Sequence, residues 1–416
     1  MTFWRSLILS MAALPAIAMA AAEIPPVDPS SRAIYDDKIV ARGAALSAVG
    51  NCADCHTSEN GKPFAGGRPF NTAFGVIYGT NITPDAETGI GRWSEAAFSR
   101  ALREGIDRRG QHLYPVFPYD HFTKLDDADV AALYAFIMTR DPVQARPPAN
   151  RVNFPYNVRE FIAVWKNLYF APGRFVPDPG KSAQWNRGAY LVEGPGHCSA
   201  CHSPRNGLGA EVTERHFAGG SAGSWHAPAL DRSSPSPVPW TATALEVYLR
   251  TGLADRHAIA AGPMAPVVRN LRQASGDDVQ AMAIYVASWL AAADASPAAA
   301  QSSSMVEARG GAAIYADACG ECHDKGRTTS SGGALELPFA IALSLPTPAN
   351  LAHITLEGIP PRDGDASRIM PPFAGALTDA QVVALLQYLR TEVARKPAWP
   401  RLDEEVRAIA AERAED

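Results

Sequence analysis

The sequence predicts an all-α protein assembled from three tandem copies of one small helical module, and three observations predict it. The motif C-x-x-C-H occurs three times, at Cys52–His56, Cys198–His202 and Cys319–His323, and uses all six cysteines. Ahead of each copy an Arg-Gly pair sits in a helical pattern: Arg42-Gly43, Arg187-Gly188 and Arg309-Gly310, ten, eleven and ten residues before the first Cys. Behind each copy lies a helix with a matching start: Asp126-x-x-Asp129-Val130, Ser275-x-x-Asp278-Val279 and Thr378-x-x-Gln381-Val382. Such repetition separates the positions that the chemistry demands from those that fill space.

Taken in order, residues 1–22 carry Arg5, an apolar stretch from Leu7 to Met19 and the small-x-small pattern Ala18-Met19-Ala20. They read as a secretory signal cleaved after Ala20, leaving an exported chain. An uncleaved anchor is the rival, but Ser10, Pro15 and the short apolar stretch weigh against it. The first module spans 23–148, and the aromatic segment 149–180 follows. With Trp165 and Tyr169, Phe154–Phe175 is too aromatic for a floppy spacer, and we expect it to pack across the first two modules or against a partner. The second module spans 181–293 and the third 305–395, joined by an Ala/Ser/Pro/Gln linker at 294–304. The charged tail 396–416 reads as a solvated face or docking segment.

Within each module the Gly of the Arg-Gly pair marks a close helix crossing, because glycine in a helix interior costs roughly 1 kcal/mol relative to alanine. Tyr190 and Tyr315 follow it and should pack on that crossing. The closing helices begin like capping boxes. Six residues after each Val comes an aromatic, Phe136, Tyr285 and Tyr388, on the face that should meet the Gly.

C-x-x-C-H reads as a c-type haem attachment site. On a helical turn, residues i, i+3 and i+4 share one face, so two thiols can meet two vinyl groups while the imidazole reaches the iron. A zinc half-site or a redox dithiol is the bland alternative. Zinc would need a second ligand pair beside each first one, and a dithiol has no use for the following His. First and last helices crossing beside a haem is the arrangement of class I cytochromes c, so the fold predicted is three tandem class I cytochrome c domains.

Between these helices, Leu-Arg-Glu-Gly105, Leu-Arg-Thr-Gly252 and Leu-Glu-Gly358 each end a helical stretch at a glycine cap. Twelve residues beyond each Gly stand Phe117, Met264 and Met370. A Met between prolines, in a loop after the middle helix, is where a sixth iron ligand belongs; core packing is the alternative. A thioether opposite His raises the reduction potential. Phe117 cannot ligate, so the first haem is open or bound by another side chain, with His121 and His112 the nearby candidates. A second imidazole would place that haem at the low-potential end.

Gly79-Thr-Asn-Ile-Thr-Pro-Asp85, Thr88-Gly-Ile-Gly-Arg-Trp-Ser94, His112-Leu-Tyr-Pro115 and Trp185-Asn-Arg-Gly-Ala-Tyr-Leu-Val-Glu193 resemble the triheme cytochrome c subunit of bacterial periplasmic dehydrogenases. That family serves alcohol and gluconate dehydrogenases and molybdenum hydroxylases acting on aldehydes, nicotinate or isoquinoline. The resemblance covers essentially the whole mature chain. It implies three covalent haem c groups on Cys52, Cys55, Cys198, Cys201, Cys319 and Cys322, with His56, His202 and His323 proximal and Met264 and Met370 distal. Alcohol and gluconate members carry Met where this chain has Phe117. Tyr-Pro-Val-Phe-Pro-Tyr-Asp-His-Phe is closer to the molybdenum-hydroxylase branch, implying a molybdopterin and iron–sulfur partner over a flavin or quinoprotein one.

Net charge −5 and pI near 6.1 argue against nucleic acid, and no apolar run reaches eighteen residues. The resemblance adds peripheral association with the inner membrane as an expectation. The favoured reading is a periplasmic electron-transfer subunit, without catalytic residues of its own, passing electrons from a dehydrogenase subunit to quinone or a terminal oxidase. The rival is a stand-alone haem enzyme, of peroxidase or reductase type, using an open first haem. The Asn81-Ile-Thr-Pro84 loop is expected to be an ordinary turn rather than a propionate donor. His197 is expected to be exposed, and His216, His226, His257 and His353 are assigned no ligand role.

Overall fold

The computed structural model describes residues 21–29, 34–291, 305–324, 334–361 and 370–415. The signal segment up to residue 20 and the linker 294–304 lie outside the described residues. The chain divides into two compact units, one of residues up to Ser47 with Cys52–Val176, the other of Pro177–Asp416 with Ala48–Asn51.

In the first unit α1 (Asp37–Val49) leads to the single turn α2 (Cys52–Cys55) and the antiparallel hairpin β1 (Pro69–Thr72) and β2 (Gly75–Tyr78). Then come α3 (Glu95–Glu104), the turn α4 (Tyr119–Phe122) and α5 (Asp127–Met138), after which β3 (Arg151–Val152) joins β2 and α6 (Glu160–Tyr169) follows. Ser94 starts α3 by accepting the Ala97 amide at 3.2 Å, and Gly105 ends it at φ 58°. A Cβ on Gly43 would stand 2.0 Å from the Ala132 carbonyl oxygen and 2.7 Å from Phe136 Cβ. Helices α1 and α5 therefore cross at backbone contact, on the face the repeat indicates. Arg42 fastens the crossing, its Nε donating to the buried Asp129 carboxylate at 2.5 Å.

The aromatic segment folds onto this unit. Lys166 donates from α6 to the carbonyls of Glu104 and Gly105, the latter at 2.8 Å, satisfying the C-terminal end of α3. Trp165 and Phe170 pack edge-on against the fully buried Tyr119, and Arg174 donates to the Leu125 carbonyl at 2.8 Å. Only the inner face of α6 is covered: Phe161, Val164 and Leu168 are 51%, 50% and 65% exposed.

The second unit repeats the pattern twice. Helix α7 (Ala183–Glu193), the turn α8 (Ser199–His202), the hairpin β4 (Gly220–Ala222) and β5 (Trp225–Ala227), and α9 (Ala242–Thr251) come first. The short pair β6 (Leu253–Ala254) and β7 (Ala258–Ile259), then α10 (Met264–Leu271) and α11 (Gly276–Leu290), complete the first copy. The second copy comprises α12 (Met305–Ala318), the turn α13 (Gly320–His323), α14 (Ala349–Glu357), α15 (Asp379–Tyr388) and α16 (Leu402–Glu415). A Cβ on Gly188 would stand 2.0 Å from the Ala281 carbonyl oxygen and 2.9 Å from Tyr285 Cβ.

Four expectations change. The third crossing uses Gly311, not Gly310: its Cβ would meet the Ala384 carbonyl oxygen at 2.2 Å and Tyr388 Cβ at 2.6 Å, while a Cβ on Gly310 meets nothing within 4 Å among the described residues. Only Thr378 and Gln381 form a reciprocal capping box. Asp126 and Ser275 cap their N3 amides, but the N3 carboxylates of Asp129 and Asp278 turn instead to Arg42 and Arg187. The tail is part of the fold, because Leu402, Val406 and Ile409, at i, i+4 and i+7, are buried with α14 and α15. Finally, the helix-rich fold is not all helix: short hairpins stand beside the first two C-x-x-C-H turns.

Candidate functional site

Each C-x-x-C-H run closes a helical turn, the His amide donating to the first Cys carbonyl at 3.1, 3.1 and 3.0 Å for His56, His202 and His323. This brings two thiols and one imidazole onto one face. The imidazole orientation is then set from elsewhere. His56 Nδ1 donates to the Thr80 carbonyl and His202 Nδ1 to the Pro228 carbonyl, both at 2.6 Å, and His323 Nδ1 faces the Leu335 carbonyl at 3.3 Å. A carbonyl only accepts, so Nδ1 carries the proton and Nε2 keeps its lone pair for a metal. Strands β2 and β5 run directly toward Thr80 and Pro228; the hairpins supply the acceptors. A backbone carbonyl has no side-chain signature, and the sequence reading missed all three.

Desolvation pushes His56, His202 and His323 below the usual imidazole range, opposed by those same carbonyls. It pushes the thiols of Cys52, Cys201 and Cys319 up, and that of Cys198 to about 12, with Glu193 and Cys201 adding to the effect. Neutral imidazoles and protonated thiols in apolar surroundings suit thioether formation with vinyl groups and ligation of iron. The donor set fits haem c.

Met264 opens α10 instead of lying in a loop, and Gly262, two residues earlier at φ 49°, packs on Trp225. Met370 is clamped to Ile359 by two backbone hydrogen bonds of 2.8 and 3.1 Å, which holds it at the end of α14. Phe117 packs against Phe122, ring centroids 5.3 Å apart. His112 Nδ1 lies 3.2 Å from Lys166 Nζ; an ammonium only donates, so the neutral ring carries its proton on Nε2 and offers no lone pair there. Desolvation, then the Lys166 charge, keeps His112 below its ordinary pKa. His121 is buried on α4.

Asn81 makes its bonds within the chain: its amide donates to Thr88 Oγ1 and the carbonyls of Val143 and Ala145, and its Oδ1 accepts from Thr83. It ties the proline-rich stretch after α5 to the loop beside His56. His197 is half-buried rather than exposed, at φ 37°. His216 bonds Glu193, which also accepts from Tyr285; His257 and His353 are buried.

Residues 40–141 match the cytochrome c family, and residues 306–389 match the family described as cytochrome c oxidase, cbb3-type, subunit III. A nicotinate dehydrogenase subunit of Pseudomonas putida is 44% identical over 94% of this chain, which spans only 33% of that protein's length. The gluconate 2-dehydrogenase cytochrome c subunit of Pantoea cypripedii is 35% identical over 90% of this chain and 92% of its own. The fructose dehydrogenase cytochrome subunit of Gluconobacter japonicus is 33% identical, with 88% and 81% covered.

Proposed function

Because the chain belongs to the family of cytochrome c subunits of dehydrogenase complexes, we propose that it is a periplasmic triheme electron-transfer subunit. It would relay electrons from a separate catalytic subunit to quinone or a terminal oxidase. Three tandem cytochrome c domains, 23–148, 181–293 and 305–395, each hold one haem c, with 149–180 and 294–304 between them. The observation that carries this reading is the proximal arrangement made three times over: a C-x-x-C-H turn whose His Nδ1 faces a backbone carbonyl. Haem c supplies reversible one-electron exchange at its iron. The protein's part is to hold Nε2 of His56, His202 and His323 toward the metal and to keep the surroundings apolar.

Met264 and Met370 would hold the haem iron of the second and third sites through their thioethers, which would raise its potential. At the first, the position falls to His121 or His112 or stays open, and the contact of His112 Nδ1 with Lys166 supports His121 over His112. The Phe117 phrase and the likeness to the nicotinate dehydrogenase subunit of Pseudomonas putida support a molybdopterin and iron–sulfur partner over a flavin or quinoprotein one. Among the described residues no helix is long and apolar enough to cross a membrane. The reading includes a cleaved signal at 1–22 and peripheral association with the inner membrane.

The test is the mass of the matured chain after denaturation and extraction with acidified solvent. Three haems must remain attached; fewer refutes the reading. The position of Phe117 favours one rival, a haem enzyme working at an open first iron. Rapid peroxide turnover by the purified chain supports that rival, and indifference supports the relay.

A further inference from the structure

Within the second unit, α14 lies against the hairpin β4–β5, and two rings meet there. The indole of Trp225 and the imidazole of His353 stack with centroids 4.7 Å apart and planes 15° from parallel. Asn350, one turn earlier on α14, grips the residue next to Trp225 from both sides. The His226 amide donates to its Oδ1 at 2.8 Å, and its Nδ2 donates to the His226 carbonyl at 2.9 Å. The stack is therefore held in register by backbone, not by ring contact alone.

Each ring is joined to a segment beside a different one of the two methionines. A Cβ on Gly262 would stand 2.3 Å from the Trp225 ring, so Trp225 touches the turn that presents Met264. Three residues along from Trp225, Pro228 offers the carbonyl that orients His202. His353 lies on the helix that carries the Met370 segment: the amides of Phe373 and Ala374 donate to the carbonyls of Thr355 and Leu356, and Met370 pairs with Ile359. Its Nδ1 donates to Glu357 Oε1 at 2.5 Å, and its buried Nε2 has no hydrogen-bond partner among the described residues.

We propose that Trp225 and His353 form the electronic bridge between the second and third haems. The proposal rests on the reading that both sites carry haem c. Electronic coupling through protein decays exponentially with distance and most steeply across gaps, because a gap has no atoms to carry it. Two stacked π systems in van der Waals contact carry the coupling from the turn ahead of Met264 to α14, the helix on which the Met370 segment is fastened. The step moves one electron: the iron at one site is oxidised as the other is reduced, and no bond or proton changes place. Separate contacts hold the seam: the Ile341 amide donates to the His257 carbonyl at 2.8 Å, and Ala258, Ile341 and Leu345 pack beneath Trp240 and Tyr248. Losing one ring should leave the seam docked.

The test uses the full haem-loaded chain with Trp225→Leu, His353→Leu and the ring-preserving Trp225→Phe. Three quantities are read: attached haems by mass, each haem's midpoint potential by spectral redox titration, and electron redistribution between the second and third haems after rapid photoreduction. We expect both leucine variants to slow redistribution several-fold with haem number and potentials unchanged, and Trp225→Phe to recover most of the rate. An unchanged rate in the leucine variants overturns the bridge. So does a phenylalanine variant as slow as leucine, or a shift in potential that accounts for the slowing, since the rings would then support the pockets and not the path. Fewer than two haems on this unit of the unaltered chain would refute the underlying reading, and the bridge with it.

Discussion

Gly311 meets Ala384 so closely that a Cβ on the glycine would stand 2.2 Å from the alanine carbonyl oxygen, while Gly310 beside it is exposed and a Cβ there meets nothing within 4 Å among the described residues. The two substitutions should therefore act in opposite directions. Gly311→Ala forces α12 away from α15 and is expected to cost about 1–3 kcal/mol, the usual penalty of overpacking. Gly310→Ala removes a glycine from an exposed stretch of helix and should stabilise by roughly 0.5–1 kcal/mol. Calorimetric melting of the haem-loaded chain reads both. Equal effects would mean that the crossing is not where the structure puts it.

Lys166 is buried against the end of α3, and desolvation brings its amine down to about 8, while an unfolded lysine titrates near ~10.4. Below pH 8 the amine is charged in both states and the burial penalty is fully present. Between about 8 and about 10.4 the folded chain has released a proton that the unfolded chain still holds, so folding gains stability as pH rises. Lys166→Met has no such group. The difference in melting temperature between wild type and variant should shift in favour of wild type as pH goes from 8 to 10. A flat difference would show that the amine titrates normally.

The helix crossings were legible because the sequence writes them three times, and the capping residues because Ser, Thr and Asp side chains carry that signal themselves. The third copy misled because Gly310 and Gly311 are adjacent: a one-residue step turns a helix by about 100°, and only the packed partner says which glycine is covered. The acceptors at Thr80, Pro228 and Leu335 were hidden because main-chain carbonyls are the same at every residue. The hairpins that deliver the first two have strands of three or four residues, too short for alternation to register. The tail read as charged because Leu402, Val406 and Ile409 form a narrow stripe in a largely charged helix.

Met264→His and Met370→His bear on the sixth ligands. A second imidazole in place of a thioether should lower the midpoint potential of the haem concerned and remove its share of the Met-to-iron charge-transfer absorbance. Haem number should stay as in the unaltered chain, because the attachment turns are untouched. Redox titration with parallel optical spectra measures both effects. A potential and charge-transfer band unchanged by either substitution would assign that Met to ordinary core packing.

Phe117 occupies, in the first module, the position twelve residues after the cap glycine that Met264 and Met370 hold in the other two. Its ring packs on Phe122, and methionine has similar volume and more flexibility, so Phe117→Met should be tolerated with a cost under roughly 1.5 kcal/mol. A thioether placed there should reach the first iron, raise the charge-transfer absorbance from two haems' worth to three, and lift the lowest of the three potentials. Carbon monoxide binding, if the unaltered chain shows it, should be lost in the same variant, because the open position is then filled. If the substituted chain keeps two haems' worth of the band and the same lowest potential, the first module places a different segment over its iron.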